Sequence, residues 1–459
     1  MFFAYVSQNR AAVLYYSRSF RHCLLFSSQF LLLNAVLDSS TTPAPYGTLA
    51  PRTFHVYNAG RMRILSVLLF IASAGVFSAC TKSAESKIAN KDKPVIFYNS
   101  KPTASQSQDI DMSVMNWNDR TFFVGSDAIG GGILQAQMIT DYFNNTDIAL
   151  ADRNGDGVIG YVLCIGDMGH TDSTGRTEGV RKALGTWNGS PDPKNTVEGR
   201  LKAGGKEFKV VELDGRTMTG TDGTTWNASA ATEAMGNWAT KFGTAIDLVI
   251  SNNDGMAMGC LQASNYPTGV PIFGYDALPD ALEAIKQGKL TGTISQNSDG
   301  QIAAVLQLLR NFFDGLSAAE AVESGFSRPD KYGNQISCGI TYDPEHKTLT
   351  VPNLAVTKEN CDDFFQQIRN GGIHQTDAEA KKVLCTTRNA SDLFFAAQYI
   401  PALRHYAPLL NLNVTLIQGD GQNESTILDA FTNLGRYDGY MIGPLRSSSA
   451  RDYIDKLKY

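Results

Sequence analysis

DRNGDGVIGYVLCIGDMGHTDSTGR, Asp152 to Arg176, joins an oxygen-rich loop, an apolar run and a polar loop in twenty-five residues. YVLCI (161–165) has the length and residue types of a buried strand. His170, Asp172 and Arg176 fall just past its end. In open α/β sheets ligands sit outside the carboxyl ends of the strands. Those three side chains are therefore placed to hold a small polar ligand.

The same pattern recurs from residue 94 onward. PVIFY (94–98), DLVIS (247–251), PIFGY (271–275), KVLCT (382–386), NVTLI (413–417) and YDGYMIG (437–443) are further short apolar runs. Between them lie stretches of helical period: 127–143, 173–184, 227–241, 277–288, 392–409 and 425–434. Strands alternating with helices predict parallel sheets covered on both faces, an α/β fold. Polar residues collect after the strands: Asn99 after PVIFY, Asn253 and Asp254 after DLVIS, Asp276 after PIFGY, Asp392 shortly after KVLCT. Each alone reads as a helix cap or turn residue. Together, with Trp226 and Phe394 near such loops, they suit a sugar. Vicinal hydroxyls both donate and accept, so carboxylates, amides and a guanidinium fork bind them in pairs. An aromatic face covers the C–H patch of a pyranose.

Length and charge narrow the class. A chain of 459 residues forms more than one domain. The net charge of −5, without a concentrated basic patch, argues against nucleic acid as a partner. Five cysteines follow Cys80 (Cys164, Cys260, Cys338, Cys361 and Cys385); their odd number and the lack of a CxxC pair argue against a disulfide framework or a zinc site. Cys164 and Cys385 sit inside apolar strands and read as buried small hydrophobes.

MRILSVLLFIASAGVFSAC (62–80) has the three parts of an export signal: Arg63, an apolar core at 64–74, and small residues before Cys80. The core is too short for a membrane-spanning helix. VFSAC resembles a bacterial lipobox, with Phe77 where such boxes prefer Leu, Val or Ile. The expectation is an upstream mis-start over residues 1–61, a signal peptide at 62–79, lipidation at Cys80, and a polar tether at 80–92. The folded part would then lie in a bacterial periplasm, anchored to a membrane.

PVIFYNSKP, the DxNxDG loop, GHTDSTGR, VISNNDGMAMG, PIFGYDALPDALEAIKQGKLTGT and VPNLAVTKEN together resemble the periplasmic galactose/glucose-binding proteins, two-lobed receptors for sugar ABC importers. The resemblance runs from about Pro94 to Phe365. It implies two Rossmann-like lobes of the type I periplasmic binding protein fold. It also implies sugar contacts at Asn99, His170, Asp172, Arg176, Trp226, Asn253 and Asp276. No enzymatic activity is implied; the expected partners are a hexose and an ABC permease, and the expected state is a monomer.

The order of the parts departs from that family, in which a strand–helix unit precedes the segment matching PVIFYN. Here that unit is matched by 382–459, at the other end. The chain is therefore similar to a circularly permuted glucose-binding lipoprotein of spirochaete type. On this reading lobe 1 is 93–126, 297–337 and 382–459; lobe 2 is 127–296 and 338–365; and 366–381 links them. Hinge crossings are expected near Ser126–Asp127, Gln296–Asn297 and Ile336–Cys338. Asp392 and Phe394 take the roles of the family's first sugar-binding aspartate and stacking aromatic. Arg388 stands where the family has a tyrosine and Gln296 where it has an asparagine, so the choice between glucose and galactose is open.

Asp152, Asn154 and Asp156 with Gly157 repeat the first half of an EF-hand loop, with the Val158 carbonyl at its seventh position. Position twelve is Leu163, so the bidentate glutamate is missing. The resemblance supplies Asp247 as a distant carboxylate and implies a structural Ca²⁺; Gly160 stands where the family has a glutamine ligand. The alternative is an Asx-rich turn.

Other functions fit less of the chain. A sugar-sensing or chemotaxis ligand-presenting protein would use the same site. A glycoside-processing enzyme would need His170 with Asp172, or Asp276 with Asp392, to act as acid and base. The sequence has neither a nucleophile elbow nor a second metal motif.

Overall fold

The structure, a computed structural model, describes residues 88–104, 109–193, 197–330, 332–364, 379–389 and 392–459. The expected signal, Cys80 and most of the expected tether lie outside the described residues, as does most of the 366–381 connection.

Sixteen strands alternate with helices along the described chain: β1 (Val95–Tyr98), β2 (Thr121–Ser126), β3 (Val158–Ile165), β4 (Glu198–Ala203), β5 (Lys206–Thr217), β6 (Leu248–Ser251), β7 (Ile272–Phe273), β8 (Thr293–Ser295), β9 (Ser327–Pro329), β10 (Gln335–Ser337), β11 (Thr341–Asp343), β12 (Thr348–Val351), β13 (Leu354–Val356), β14 (Lys381–Thr387), β15 (Leu412–Gln418) and β16 (Gly439–Ile442). They build a seven-stranded sheet of order β11-β12-β2-β1-β16-β14-β15 and a five-stranded sheet of order β4-β5-β3-β6-β7. Within the seven-stranded sheet only β11–β12 is antiparallel, and within the five-stranded sheet only β4–β5. The expected α/β architecture with parallel sheets is therefore present.

The apolar runs explain the layers. Every residue of β1 is buried, and alternate residues serve opposite faces. Val95 and Phe97 pack with Tyr440, Ile442 and Tyr453, whereas Ile96 and Tyr98 face the cluster containing Leu309 and Phe312. In β3 the same alternation sends Tyr161, Leu163 and Ile165 one way and Val162 and Cys164 the other.

The C-terminal segment completes the seven-stranded sheet. β16 pairs in parallel with β1 (Val95 with Tyr440), and β14 pairs with both β16 and β15. The final helix, Ala450–Leu457, ends against the lead-in to β1: the Ala89 N–H donates to the Lys458 carbonyl at 3.2 Å and Asn90 Nδ2 to the Leu457 carbonyl at 3.0 Å. Without β14, β15 and β16, β1 would be an open edge of bare N–H and C=O groups.

Two expectations need correction. Residues 338–365 do not belong to one lobe. β11 and β12 join the seven-stranded sheet through β12–β2 pairing, and only β13 turns to pair with β8. The crossing expected near Ile336–Cys338 therefore falls after β12, between Val351 and Leu354. The physical reason is Leu349 and Val351: both are fully buried, and their side chains need the core beside Phe122 and Val124. The sequence reading also passed over β2, the β4–β5 hairpin and the helix Ser298–Phe313.

The crossings are tied to one another. Asn353 donates from Nδ2 to the Asp127 carbonyl at 2.7 Å, and its Oδ1 accepts from the Tyr275 hydroxyl at 2.8 Å. The helices Ala128–Asn144 and Thr171–Leu184 lie backbone to backbone. A Cβ on Gly132 would stand 2.3 Å from the Arg176 carbonyl oxygen, so glycine is required for that approach. This contact fixes the helix that carries Asp172 and Arg176.

Candidate functional site

The C-terminal ends of β1, β3, β6 and β14 face one narrow cavity of about 40 Å³. It is lined by Asn99, His170, Asp172, Arg176, Trp226, Asn253, Asp276, Gln296, Arg388, Asp392, Phe394 and Phe395. All eleven residues singled out from the sequence are thus brought together. Phe395 is the addition.

Backbone geometry places these groups. Asn99, Trp226 and Asp276 hold φ of 60°, 59° and 114°, values uncommon away from glycine. A residue kept there at a cavity wall reflects a surrounding structure that over-determines it. Trp226 presses its indole on Gly166, where a Cβ would stand 2.5 Å from the ring. His170 caps the helix Thr171–Leu184, its Nδ1 accepting from the Asp172 N–H at 3.2 Å. Asn253 caps the helix Asp254–Leu261 through Oδ1 and the Met256 N–H at 2.8 Å. The Asp392 carboxylate accepts from the Phe394 N–H at 2.9 Å. Capping and cavity lining are therefore done by the same side chains, and the two readings of each residue do not compete.

Arg176 organises the polar wall. Its Nη2 donates to Asp172 Oδ2 at 3.0 Å, and its Nη1 to the Asn252 carbonyl at 2.8 Å and to Asp276 Oδ1 at 3.5 Å. The guanidinium lies 3.8 Å over the Tyr275 ring and 5.6 Å from Trp226. Burial disfavours its charge, but Asp172 and Asp276 more than offset this and hold its pKa above the ordinary value. Asp276 shows the opposite balance: burial pushes its carboxyl well above the usual range even against Arg176. Gln296 Nε2 donates to the same Asp276 oxygen at 2.7 Å. Burial lowers His170 to about 4, so its ring is neutral near pH 7, consistent with Nδ1 acting as acceptor. Trp226 meets that ring edge-on at 6.1 Å.

Two buried atoms of the wall, Gln296 Oε1 and Arg176 Nε, have no hydrogen-bond partner. A buried acceptor without a donor costs about 1–3 kcal/mol. A ligand hydroxyl at Gln296 Oε1 would remove that cost. Phe394 and Phe395, edge to face at 5.6 Å, supply the apolar side of the cavity. Carboxylates, amides and a guanidinium together with aromatic rings make a surface that pairs hydroxyls and covers a C–H face. Asp172 is committed to Arg176 as an ion-pair partner.

Several contacts cross the cavity mouth. Arg388 Nη2 reaches Thr225 Oγ1 at 3.0 Å and Asp167 Oδ2 at 3.5 Å. The Ser447 and Thr171 hydroxyls meet at 3.1 Å. Gln398 Nε2 donates to the Ala277 carbonyl at 3.0 Å.

The sequence reading missed three supporting residues. Phe395 follows Phe394 directly, and the π-helical turn Phe395–Tyr399 alters the spacing an ordinary helix would give. Asn252 is fully buried and accepts at Oδ1 from the Gly166 N–H and from the Ser173 and Thr177 hydroxyls, tying the β3 loop to the Arg176 helix. Tyr275 sits inside PIFGY and reads as strand core. The Asn-Asn pair at 252–253 was the available signal for Asn252.

The expected cation loop is folded as a hydrogen-bonded turn. Asp152 accepts from the N–H groups of Gly155, Asp156 and Gly157, and Asp156 from that of Val158. Asp247 accepts from the Arg153 and Gly160 N–H groups at 3.0 and 2.9 Å. Burial raises the Asp247 carboxyl to about 6, and Asp152 and Asp156 add to the rise. Among the described residues no three His, Cys, Asp or Glu side chains group closely enough to hold a metal. The acidic side chains alone do not make a metal sphere there.

Comparison with known proteins gives a consistent set of similarities. A profile of the periplasmic binding protein domain matches residues 70–317, just over half of the chain, and a second profile of that description matches 380–450. The D-galactose/methyl-galactoside binding periplasmic protein MglB of Haemophilus influenzae is 30% identical over 282 residues, 61% of this chain and 69% of that protein. A xylitol-binding protein of Mycolicibacterium smegmatis is 31% identical over 178 residues, 38% of this chain and 40% of that one. Among solved structures, an ABC transporter solute-binding protein of Bacillus halodurans with bound myo-inositol shares 23% identity. That match covers 60% of this chain and 69% of the other, with a TM-score of 0.37.

Proposed function

Since the chain belongs to the periplasmic binding protein family, whose members here are solute binders rather than enzymes and which implies a periplasmic location, we propose that it is a receptor closing two lobes around a hexopyranose, D-glucose or D-galactose, and delivering it to an ABC importer. One observation carries this reading: a single cavity gathers every residue expected to touch a sugar, carboxylates and Arg176 together with Trp226 and Phe394. Asp172, Asp276 and Asp392 would accept hydroxyl protons, Arg176, Asn99 and Asn253 would donate, and the two aromatic residues would cover the ring. Full pairing of a buried sugar makes such a site discriminating, since each lost hydroxyl leaves a buried group bare. Closure is hinge motion about the crossings near Ser126–Asp127 and Gln296–Asn297 and after Val351. The test is a fluorescence titration followed at Trp226: a saturable hexose-dependent change absent from Trp226→Phe supports the reading, and no change with any hexose opposes it.

Circular permutation belongs to the same proposal. It is supported by the insertion of β14 and β16 beside β1 and by the contact of the final helix with the residues leading into β1. Ending the chain at residue 380 would remove three of seven strands and should yield no folded protein. A stable, hexose-binding product would mean that the last segment is an added domain.

Lipid anchoring at Cys80 and a structural Ca²⁺ complete the proposal. The calcium would be held by Asp152, Asn154, Asp156, the Val158 carbonyl and Asp247 and would fasten the lead-in to β3. Added Ca²⁺ is expected to raise Tm by several degrees after chelation, through binding to the folded state alone; an unchanged Tm would leave the loop a metal-free turn.

A further inference from the structure

Cys164 and Cys260 lie 96 positions apart in the sequence, yet their sulfurs are 3.3 Å apart in the structure. Cys164 is in β3 and Cys260 in the last turn of the helix Asp254–Leu261; both are fully buried. Around them are Ala231, Ala257 and Met256. Cys361 and Cys385 direct their sulfurs to backbone carbonyls. The separation exceeds a disulfide bond length of about 2.05 Å by little more than 1 Å.

We infer that Cys164 and Cys260 are a modification site, a dithiol that becomes a disulfide stapling β3 to the helix Asp254–Leu261. The inference rests on the periplasmic location that the family implies and not on the identity of the sugar. Envelope compartments are oxidising, and proteins there retain disulfides. The neighbouring Cys260 sulfur and burial hold the Cys164 thiol well above its ordinary pKa, so the reaction belongs to folding, before the core closes. The oxidant is a disulfide-donating thiol oxidoreductase of the envelope. The thiolate of one cysteine attacks the donor disulfide, giving a mixed disulfide and one donor thiol. The second thiolate then attacks the protein sulfur of that mixed disulfide and expels the other donor thiol. Two protein thiols are oxidised, the donor disulfide is reduced to a dithiol, and both protons end on donor sulfurs.

The staple would act on the site without touching it. β3 leads through Gly166 to the His170 cap, and the stapled helix begins at the Asn253 cap. Cross-linking them closes a long loop of the unfolded chain, which stabilises the folded state and leaves the cavity contacts as they are.

The experiment uses the whole protein after exposure to oxidised glutathione in mild denaturant and refolding. It is then alkylated in strong denaturant without reductant, digested and mapped by mass. The expected result is a linked peptide pair containing Cys164 and Cys260, lighter by two hydrogens than the reduced pair. Tm should exceed that of the reduced protein by roughly 5–10 °C. In Cys260→Ala the reductant-dependent part of Tm should vanish. Alkylation of both residues after oxidation would overturn the inference and leave a buried pair sharing a thiol hydrogen bond. Linkage of either to another cysteine would overturn it as well.

Discussion

The Arg388 guanidinium, at the end of a strand supplied by the C-terminal segment, stands 3.5 Å from the Asp167 carboxylate, in the loop that follows β3. The two residues belong to different sheets, so the pair spans the mouth of the cavity. Burial raises Asp167, and Arg388 with the Gly169 N–H pulls it below the usual carboxylate range. Asp167 does not line the cavity, which separates holding the lobes closed from touching the ligand. Asp167→Asn should raise the hexose Kd about tenfold through faster dissociation, a loss of 1–2 kcal/mol for a partly buried charged pair. It should also weaken the dependence of Kd on salt. Stopped-flow dissociation at low and high ionic strength reads both effects, and an unchanged off-rate would show that the pair does not hold the lobes.

Gly166 bears on the stacking residue. Because a Cβ there would meet the Trp226 indole, Gly166→Ala should shift that ring while leaving β3 and its core intact. The expected outcome is a 10- to 100-fold weaker Kd, about 1–3 kcal/mol, with Tm lowered by only a few degrees. A Kd within twofold of the parent would mean that Trp226 does not cover the ligand.

Arg176 cannot be removed without structural consequence. Its loss would strand Asp172 in a buried site, where breaking one partner of a buried ion pair costs about 3–5 kcal/mol. Arg176→Ala should therefore abolish binding and also lower Tm by roughly 10 °C. Thermal melts beside titrations test it, and loss of binding at an unchanged Tm would contradict the ion-pair account.

His170 sets a pH dependence. Its folded pKa near 4 lies below the ordinary value of 6.5, so between those values the unfolded chain binds more protons. The stability conferred by the neutral, buried ring is complete above about pH 6.5 and declines as pH falls toward 4. The full difference is on the order of 3 kcal/mol. Asp254, which burial pushes up to about 7, works in the opposite sense, favouring the fold below that pH. His170→Asn keeps a cap acceptor and removes the titration. Denaturant melts from pH 7 to 4.5 should show a smaller acid loss in the variant; parallel curves would mean that His170 does not carry it.

Much of the site was legible because its chemistry follows the chain. Polar residues that end strands are placed by topology at one edge, so reading the strand ends reads the cavity. Asn99, Asp172 and Asp276 could be found that way. Phe395 could not, because a π-helical turn changes which side chain faces inward. Asn252 and Tyr275 act through other residues, and such support leaves a weak local signal. The lobe boundary at 338–365 was misread because β12 is only four residues long and gains its place by pairing with β2, a contact between positions more than 200 residues apart. Local periodicity carries no information on that partner.

The central claim is that this one cavity binds a hexose. Calorimetric titration of the purified protein with D-glucose and then D-galactose tests it most directly. The account predicts one-to-one binding of at least one of the two, with a Kd in the micromolar range or tighter, lost in Arg176→Ala. No heat with either sugar at millimolar concentration, from protein that melts cooperatively, would contradict it.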